Sequence, residues 1–258
     1  MTAPALHSGE SAARKQRRAL GLDLAHPIAD LLDIAEAGLH IPVLVDPFGD
    51  DVIAGVLLRN AESDCFVAIN ADFGAVRQRF TLAHELGHIH MGHQPRVDLA
   101  ADVFGRGRNP QEVEANYFAA EFLAPRPAVM SWLEEHELVA AADQAATVVQ
   151  LALVFGIAFS TTCFRLERTG AISSRAKDRL VGELSGGSSL SAELLQRYKG
   201  HRLTDSLEAL ADLGAYPRTP RQTAEYAERA RTRGLLDDQE YRAIVPAPRE
   251  LDLSDWVS

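Results

Sequence analysis

Residues 84–93 read His84-Glu85-Leu86-Gly87-His88-Ile89-His90-Met91-Gly92-His93 and hold four of the nine histidines of the chain. On a helix of 3.6 residues per turn, His84 and His88 lie about 40° apart and one turn along the axis, so both imidazoles reach one ion. Glu85 stands about 100° from His84, beside that ion and not on it. Leu82, Leu86 and Ile89 fall at about 140–200°, on the opposite side. The helix therefore has an apolar face to bury and a polar face to carry a metal. His84-Glu85-Leu86-Gly87-His88 is an H-E-x-x-H pattern, in which two histidines bind zinc and the glutamate acts as a general base. The five-letter pattern also occurs on ordinary surface helices. Here the apolar stripe and the preceding Arg79-Phe80-Thr81-Leu82-Ala83 favour the metal reading.

The chain of 258 residues has room for one large domain or two smaller ones, with 47% hydrophobic and 24% charged residues, as in a globular protein. Its net charge of −10 argues against general nucleic-acid binding. Cys65 and Cys163 form no C-x-x-C and read as small apolar side chains. Arg14, Lys15, Arg17 and Arg18 are followed by no apolar run, so no secretory signal is expected. The longest apolar stretch, 148–159, is too short to span a bilayer, and a cytoplasmic protein without a membrane partner is expected.

Outward from the histidines, residues 1–10 read as a loose tail and Ser11 to Leu20 as a short, solvated basic helix. Pro27 to Gly38 has helical spacing, with Pro27 at the first position. Ile41 to Val45, Val52 to Arg59 and Cys65 to Asn70 are β-rich and joined by short turns, which favours antiparallel neighbours. The histidine helix is expected from near Ala75 to near Gly92. Asn109-Pro110 then starts a helix running to about Leu123. Further helices are expected at Val129 to His136, and as a helix–turn–helix-like pair at Ala145 to Phe155 and Ser160 to Arg168. Three more are expected at Ala192 to Tyr198, Leu203 to Leu213 and Thr219 to Gly234, with Pro246 to Ser258 extended. The expected fold is α+β: a small, mainly antiparallel sheet packed on the H-E-x-x-H helix, then a mostly helical subdomain and a helical C-terminal extension. The expected divisions are a polar, basic N-terminal segment (1–25), a zinc-peptidase domain (26–181) with the helix pair near 145–170, a linker (182–191) and a helical C-terminal region (192–258).

A catalytic zinc keeps three protein ligands and one open position, so a third ligand must come from elsewhere. The extended pattern H-E-x-x-H-x-x-G-x-x-H fails, because Met91 and Gln94 stand where it needs glycine and histidine. Continued on the same helix, His90 and His93 point about 240° and 180° from His84, and they read as non-ligands. The helix from Pro110 offers Glu112 and Glu114, with Asp98 and Asp102 as outsiders. Glu112 and Asn116 share a face at i, i+4, so a carboxylate could reach the metal while the amide orients a histidine. Glu112 also sits where it would close a capping box on Asn109. Spacing alone leaves Glu112 and Glu114 both open.

Taken together, Arg79 to His88 (R-F-T-L-A-H-E-L-G-H) and Glu112 to Pro125 (E-V-E-A-N-Y-F-A-A-E-F-L-A-P) resemble the ImmA/IrrE family of zinc peptidases. The strand Val67-Ala68-Ile69-Asn70 and the pair within 149–170 fit that family's layout, and the resemblance spans roughly residues 26–170. It implies His84, His88 and Glu112 as ligands of one Zn2+ per chain and Asn116 behind a histidine. It implies amide hydrolysis with Glu85 as the base, zinc lowering the pKa of a bound water toward ~7. It further implies a protein substrate, a helix–turn–helix transcriptional repressor encoded nearby, whose cleavage relieves repression of mobile-element or stress-response genes. Cys65 to Asn70, directly before the catalytic helix, is a candidate sheet edge for an extended peptide. His90, His93, Tyr117 and Arg79 are candidate oxyanion donors by composition alone. The alternative is a DNA-binding or partner-binding regulator or toxin with little proteolysis, for which Arg165, Arg168, Arg175, Lys177 and Arg179 supply a modest positive excess.

Overall fold

The computed structural model describes residues 3–94, 96–105, 109–186, 188–198 and 218–247. In chain order the elements are α1 (Ala3–Ala19), α2 (Leu31–Asp33) running into a π-helical turn (Ile34–Gly38), β1 (Val43–Asp46), β2 (Ile53–Arg59), β3 (Cys65–Asn70), α3 (Ala75–Met91), β4 (Arg96–Leu99), α4 (Ala100–Val103) and α5 (Pro110–Leu123). There follow α6 (Arg126–Glu135), a 3-10 turn (Val139–Ala141), α7 (Ala145–Phe155), α8 (Phe159–Thr169), α9 (Ser174–Leu184), α10 (Ser189–Tyr198), α11 (Arg221–Thr232) and α12 (Asp238–Ile244). This is the mixed α+β architecture read from the sequence: a small sheet, an H-E-x-x-H helix and a helical remainder.

Helix α3 carries the site. It starts at Gly74 and stops at Gly92, whose left-handed φ of 70° lets its N–H close on the carbonyls of His88 and Ile89. Leu82, Ala83 and Leu86 are buried in the main core, while His84, Glu85 and His88 are equally buried on the side facing β2 and α5. A fully buried polar face on a helix is uncommon and demands internal partners.

The sheet order is β1-β3-β2-β4, with β2 antiparallel to β3 and β4, and β1 parallel to β3. Two of the three pairings are thus antiparallel, but β1 does not pair with β2 as its short connection predicted. Asn70 explains the crossing. Its Nδ2 donates to the Asp50 and Ile53 carbonyls and its Oδ1 accepts from Phe48 N–H, pinning the β1–β2 connection over the end of β3. Strand β3 is consequently interior, and the expectation that Cys65 to Asn70 forms an edge is corrected. The edge strand that reaches α3 is β4, which no hydrophobic run announced. Its alternation is inverted, with Asp98 2% exposed while Val97 and Leu99 face solvent.

The N-terminal expectation also changes. Residues 3–19 are one helix lying along α5, not a tail followed by a solvated helix. The approach is so close that a Cβ on Gly9 would stand 2.3 Å from the Glu114 carbonyl oxygen. Two of the basic residues turn inward: Arg17, 1% exposed, donates to the carbonyls of Asp23, His26 and Phe122, and Arg14 pairs with Glu121, while Lys15 and Arg18 stay exposed. Burial lowers the Arg17 guanidinium to about 10, so it stays charged at neutral pH.

The predicted helix from Pro27 begins only at Leu31, because Asp30 caps it by accepting from Asp33 N–H. Helices α7 and α8 meet at Gly156, as the turn residue predicted, and α7 is almost entirely buried. No single helix among the described residues is long and apolar enough to cross a membrane; α7 and α8 pass that test only together and are bent by 103°. Within the expected linker 182–191 the described residues are partly helical. Helix α9 runs to Leu184, α10 starts at Ser189, and Leu194 and Leu195 join the main core. Helix α11 falls inside the expected Thr219 to Gly234, and α12 adds a helix closed by an Asp237/Glu240 capping box. The expected helix 203–213 lies outside the described residues, as does the expected extended segment from residue 248 onward.

Candidate metal centre

Four buried side chains converge between α3, α5 and β4. His84 and His88 present Nε2 atoms 2.9 Å apart. Glu112 places Oε2 3.2 Å from His84 Nε2 and Oε1 3.7 Å from His88 Nε2. Asp98 Oδ2 lies 3.8 Å and 3.7 Å from the same two nitrogens. All four donor atoms fall within 4.8 Å of one another. An ion 2.0–2.1 Å from four tetrahedral donors spaces them roughly 3.3 Å apart, and the observed separations bracket that figure.

The hydrogen bonds behind the two histidines determine which nitrogens face the centre as lone pairs. Asn116 Nδ2 donates to the Asp102 carbonyl at 2.8 Å, which turns its Oδ1 toward His84 Nδ1 at 3.0 Å. His84 must therefore donate from Nδ1, leaving Nε2 unprotonated. His88 Nδ1 lies 2.8 Å from His93 Nδ1, and His93 Nε2 lies 3.2 Å from Glu114 Oε2. With Glu114 accepting from His93 Nε2–H, His93 Nδ1 accepts from His88 Nδ1–H, and His88 Nε2 is likewise a lone pair. Two imidazole lone pairs and two carboxylates then face one point, a set that a divalent cation reconciles. Burial pushes the His88 imidazolium down, favouring the neutral ligand form. Burial also acts to raise the Glu112 carboxyl, but in an ion-free centre hydrogen bonding and charge from the histidine pair, in the place a cation would take, outweigh it and hold Glu112 well below the usual carboxylate range.

Of the two glutamates left open by spacing, Glu112 faces the histidine pair and Glu114 faces His93. Asn116 stands behind His84. Two residues lie where their sequence reading did not put them. His93 does not point away: the helical wheel ends at Gly92, where the left-handed turn swings His93 back against His88 and buries it. Glycine as the stop signal was the available clue. Asp98, set down as an outsider, lies in the same buried group that could hold an ion, and its short strand of inverted polarity carried no readable signal.

Glu85 is fully buried beneath Gly55 of β2; a Cβ there would lie 2.6 Å from Glu85 Oε1 and 2.7 Å from Thr81 Cγ2. Gly55 is also the residue paired across the ladder with Asp98, so this one glycine seats both groups. The candidate oxyanion donors have other engagements. Arg79 donates to the Ile28 carbonyl, His90 packs on Phe118, His93 backs His88, and the Tyr117 side chain lies among Arg168, Glu10 and Glu167.

The His93 relay yields a first prediction. Replacing His93 with Ala removes the acceptor that orients His88, and metal affinity is expected to fall about 10–100-fold, as loss of such an outer partner generally does. Competition with a chromophoric chelator measures this, and wild-type affinity in that variant would remove His93 from the site.

Residues 37–167, just over half of the chain, match the Peptidase_M78 family, described as the IrrE N-terminal-like domain. No curated protein matches the chain. Among solved structures, a Mycobacterium tuberculosis transcriptional regulator is similar at 20% identity and a TM-score of 0.39, over 62% of this chain and 46% of its own. The present chain thus spans under half of that protein, and a likeness this slight carries no argument.

Proposed function

Because the chain belongs to the M78 peptidase (ImmA/IrrE) family, we propose that it is a zinc-dependent endopeptidase that cuts a protein substrate. The observation that carries this reading is the buried His84–His88–Asp98–Glu112 set with Glu85 on the same helix. Nitrogen and carboxylate donors in a compact group suit zinc. His84, His88 and Glu112 would hold it, with one ion per chain. When bound, the ion supplies Lewis acidity toward a carbonyl oxygen and makes water more acidic. The protein's own groups do the rest. Asn116 and the His93–Glu114 pair hold the two imidazoles in the neutral, Nδ1-protonated form. Glu85 takes the proton of the attacking water and delivers it to the leaving amine nitrogen. Its complete burial strengthens both transfers by keeping competing water out.

The substrate we propose is a helix–turn–helix transcriptional repressor encoded nearby, and the outcome is relief of repression of mobile-element or stress-response genes in the cytoplasm. That part is supported by the resemblance of residues 79–88 and 112–125 alone. An extended segment of the substrate would add to β4, the edge strand at the centre, where Val97 and Leu99 are exposed. Against a DNA-binding reading stand the basic residues themselves. Arg165 is buried against Glu121 and the Ala124 carbonyl, Arg168 pairs with Glu10, Lys177 with Glu167 and Arg179 with Glu183, while Arg175 stays exposed. Co-expression with the neighbouring repressor is the test. The repressor should be fragmented beside wild-type protein and intact beside Glu85→Gln. An intact repressor in both, with metal bound, rejects the proposed substrate.

A further inference from the structure

Asp98 is one donor more than a hydrolytic metal site uses. Such sites keep three protein ligands and leave the fourth position to water or substrate. Here Asp98 Oδ2 is within 3.8 Å of both histidine nitrogens, a reach comparable to the 3.7 Å from Glu112 Oε1 to His88, and the side chain is 2% exposed. Four protein donors clustered within 4.8 Å are as many as a tetrahedral ion takes, and structural zinc sites are closed by four such ligands.

We propose that Asp98 is a fourth protein ligand that closes the metal centre at rest, and that turnover requires it to withdraw. Closure follows from the donor geometry, whereas the need to withdraw rests on the peptidase reading above. The element that carries Asp98 suits such a movement. Strand β4 has four residues, pairs on one side only among the described residues, and its register on β2 slips between Ile53 and Gly55, beside the Gly55–Asp98 pair. The α3 and α5 donors, by contrast, sit on long, buried helices. The outer edge of β4 is also where an extended peptide would add. A bound substrate would then act on the same four residues that hold Asp98 over the metal, and the site would open only for a peptide that engages the strand.

The full-length protein, stripped of metal and reloaded with one Co2+ per chain, reports coordination number through its visible absorption, with azide as the external ligand. Wild-type protein should show four-coordinate bands that azide leaves unchanged at concentrations that shift those of Asp98→Ala. Asp98→Asn, closer in shape, guards against loss of packing in the alanine variant. Azide should bind both variants roughly tenfold or more tighter than wild type, since each frees a coordination position. Equal azide affinity in wild type and both variants overturns closure. With closure established, faster cleavage of an unstructured protein by Asp98→Ala supports withdrawal, and slower cleavage overturns it. If the azide difference is present and no variant cleaves any protein, the peptidase reading fails while the closed centre stands.

Discussion

Glu85→Gln is expected to keep its metal and lose about 10²–10⁴-fold in turnover, the range a positioned general base contributes. Glutamine matches glutamate in size, so it fits the space beneath Gly55, where there is no room for even an added methyl group. The four donors of the centre are untouched by the change, and metal content should match wild type. What is lost is the ability to accept a proton. The measurement pairs metal analysis with single-turnover cleavage of the proposed repressor substrate. Residual activity within a few-fold of wild type would mean that another group takes the proton. Loss of metal together with activity would show instead that Glu85 supports the site structurally.

Glu112→Ala should strip most of the metal, and Glu114→Ala should not. The reason is positional. Glu112 sets both oxygens against the histidine pair, one on each imidazole, whereas Glu114 reaches only His93. Removing Glu112 deletes a charged donor and leaves a cavity in a buried centre, so the loss should exceed the roughly 10–100-fold expected for an outer partner. Glu114→Ala disturbs His93 one step away and should fall within that range. Chelator competition on both variants separates them. Equal losses would mean that α5 contributes no direct ligand.

Much of this was legible because it is local. The periodicity of Leu82, Leu86 and Ile89 against His84 and His88 defines the two faces of α3 within four turns. Asn109 and Pro110 mark where α5 starts, and Gly156 and Gly170 end α7 and α8 with left-handed residues, each through backbone chemistry of its immediate neighbours. The Glu112–Asn116 pairing was visible as an i, i+4 face on one helix. Its choice over Glu114 was not, since both glutamates lie in the first turns of α5. Only the resemblance favoured Glu112, and only the packing of α5 on α3 shows which of them meets the histidines.

The remainder depended on contacts between segments distant in sequence. The basic N-terminal helix read as solvated because its partners, Glu121 and the Phe122 carbonyl, lie more than a hundred residues away. Strand β1 passed over β2 to pair with β3 because Asn70 holds the connection, a role that no strand propensity encodes. His93 turned inward once Gly92 broke the helical phase. Asp98 entered the centre because β4 pairs with β2 at Gly55, where the absence of a side chain leaves room for Glu85 as well. The sequence by itself determined the helix, its two histidines, the glutamate between them and the start of the helix carrying Glu112, all from spacing along a regular backbone. Only the tertiary structure decided which carboxylates complete the set, because a ligand's place is a matter of approach between elements and burial without water. Neither is written in the periodicity of any one segment.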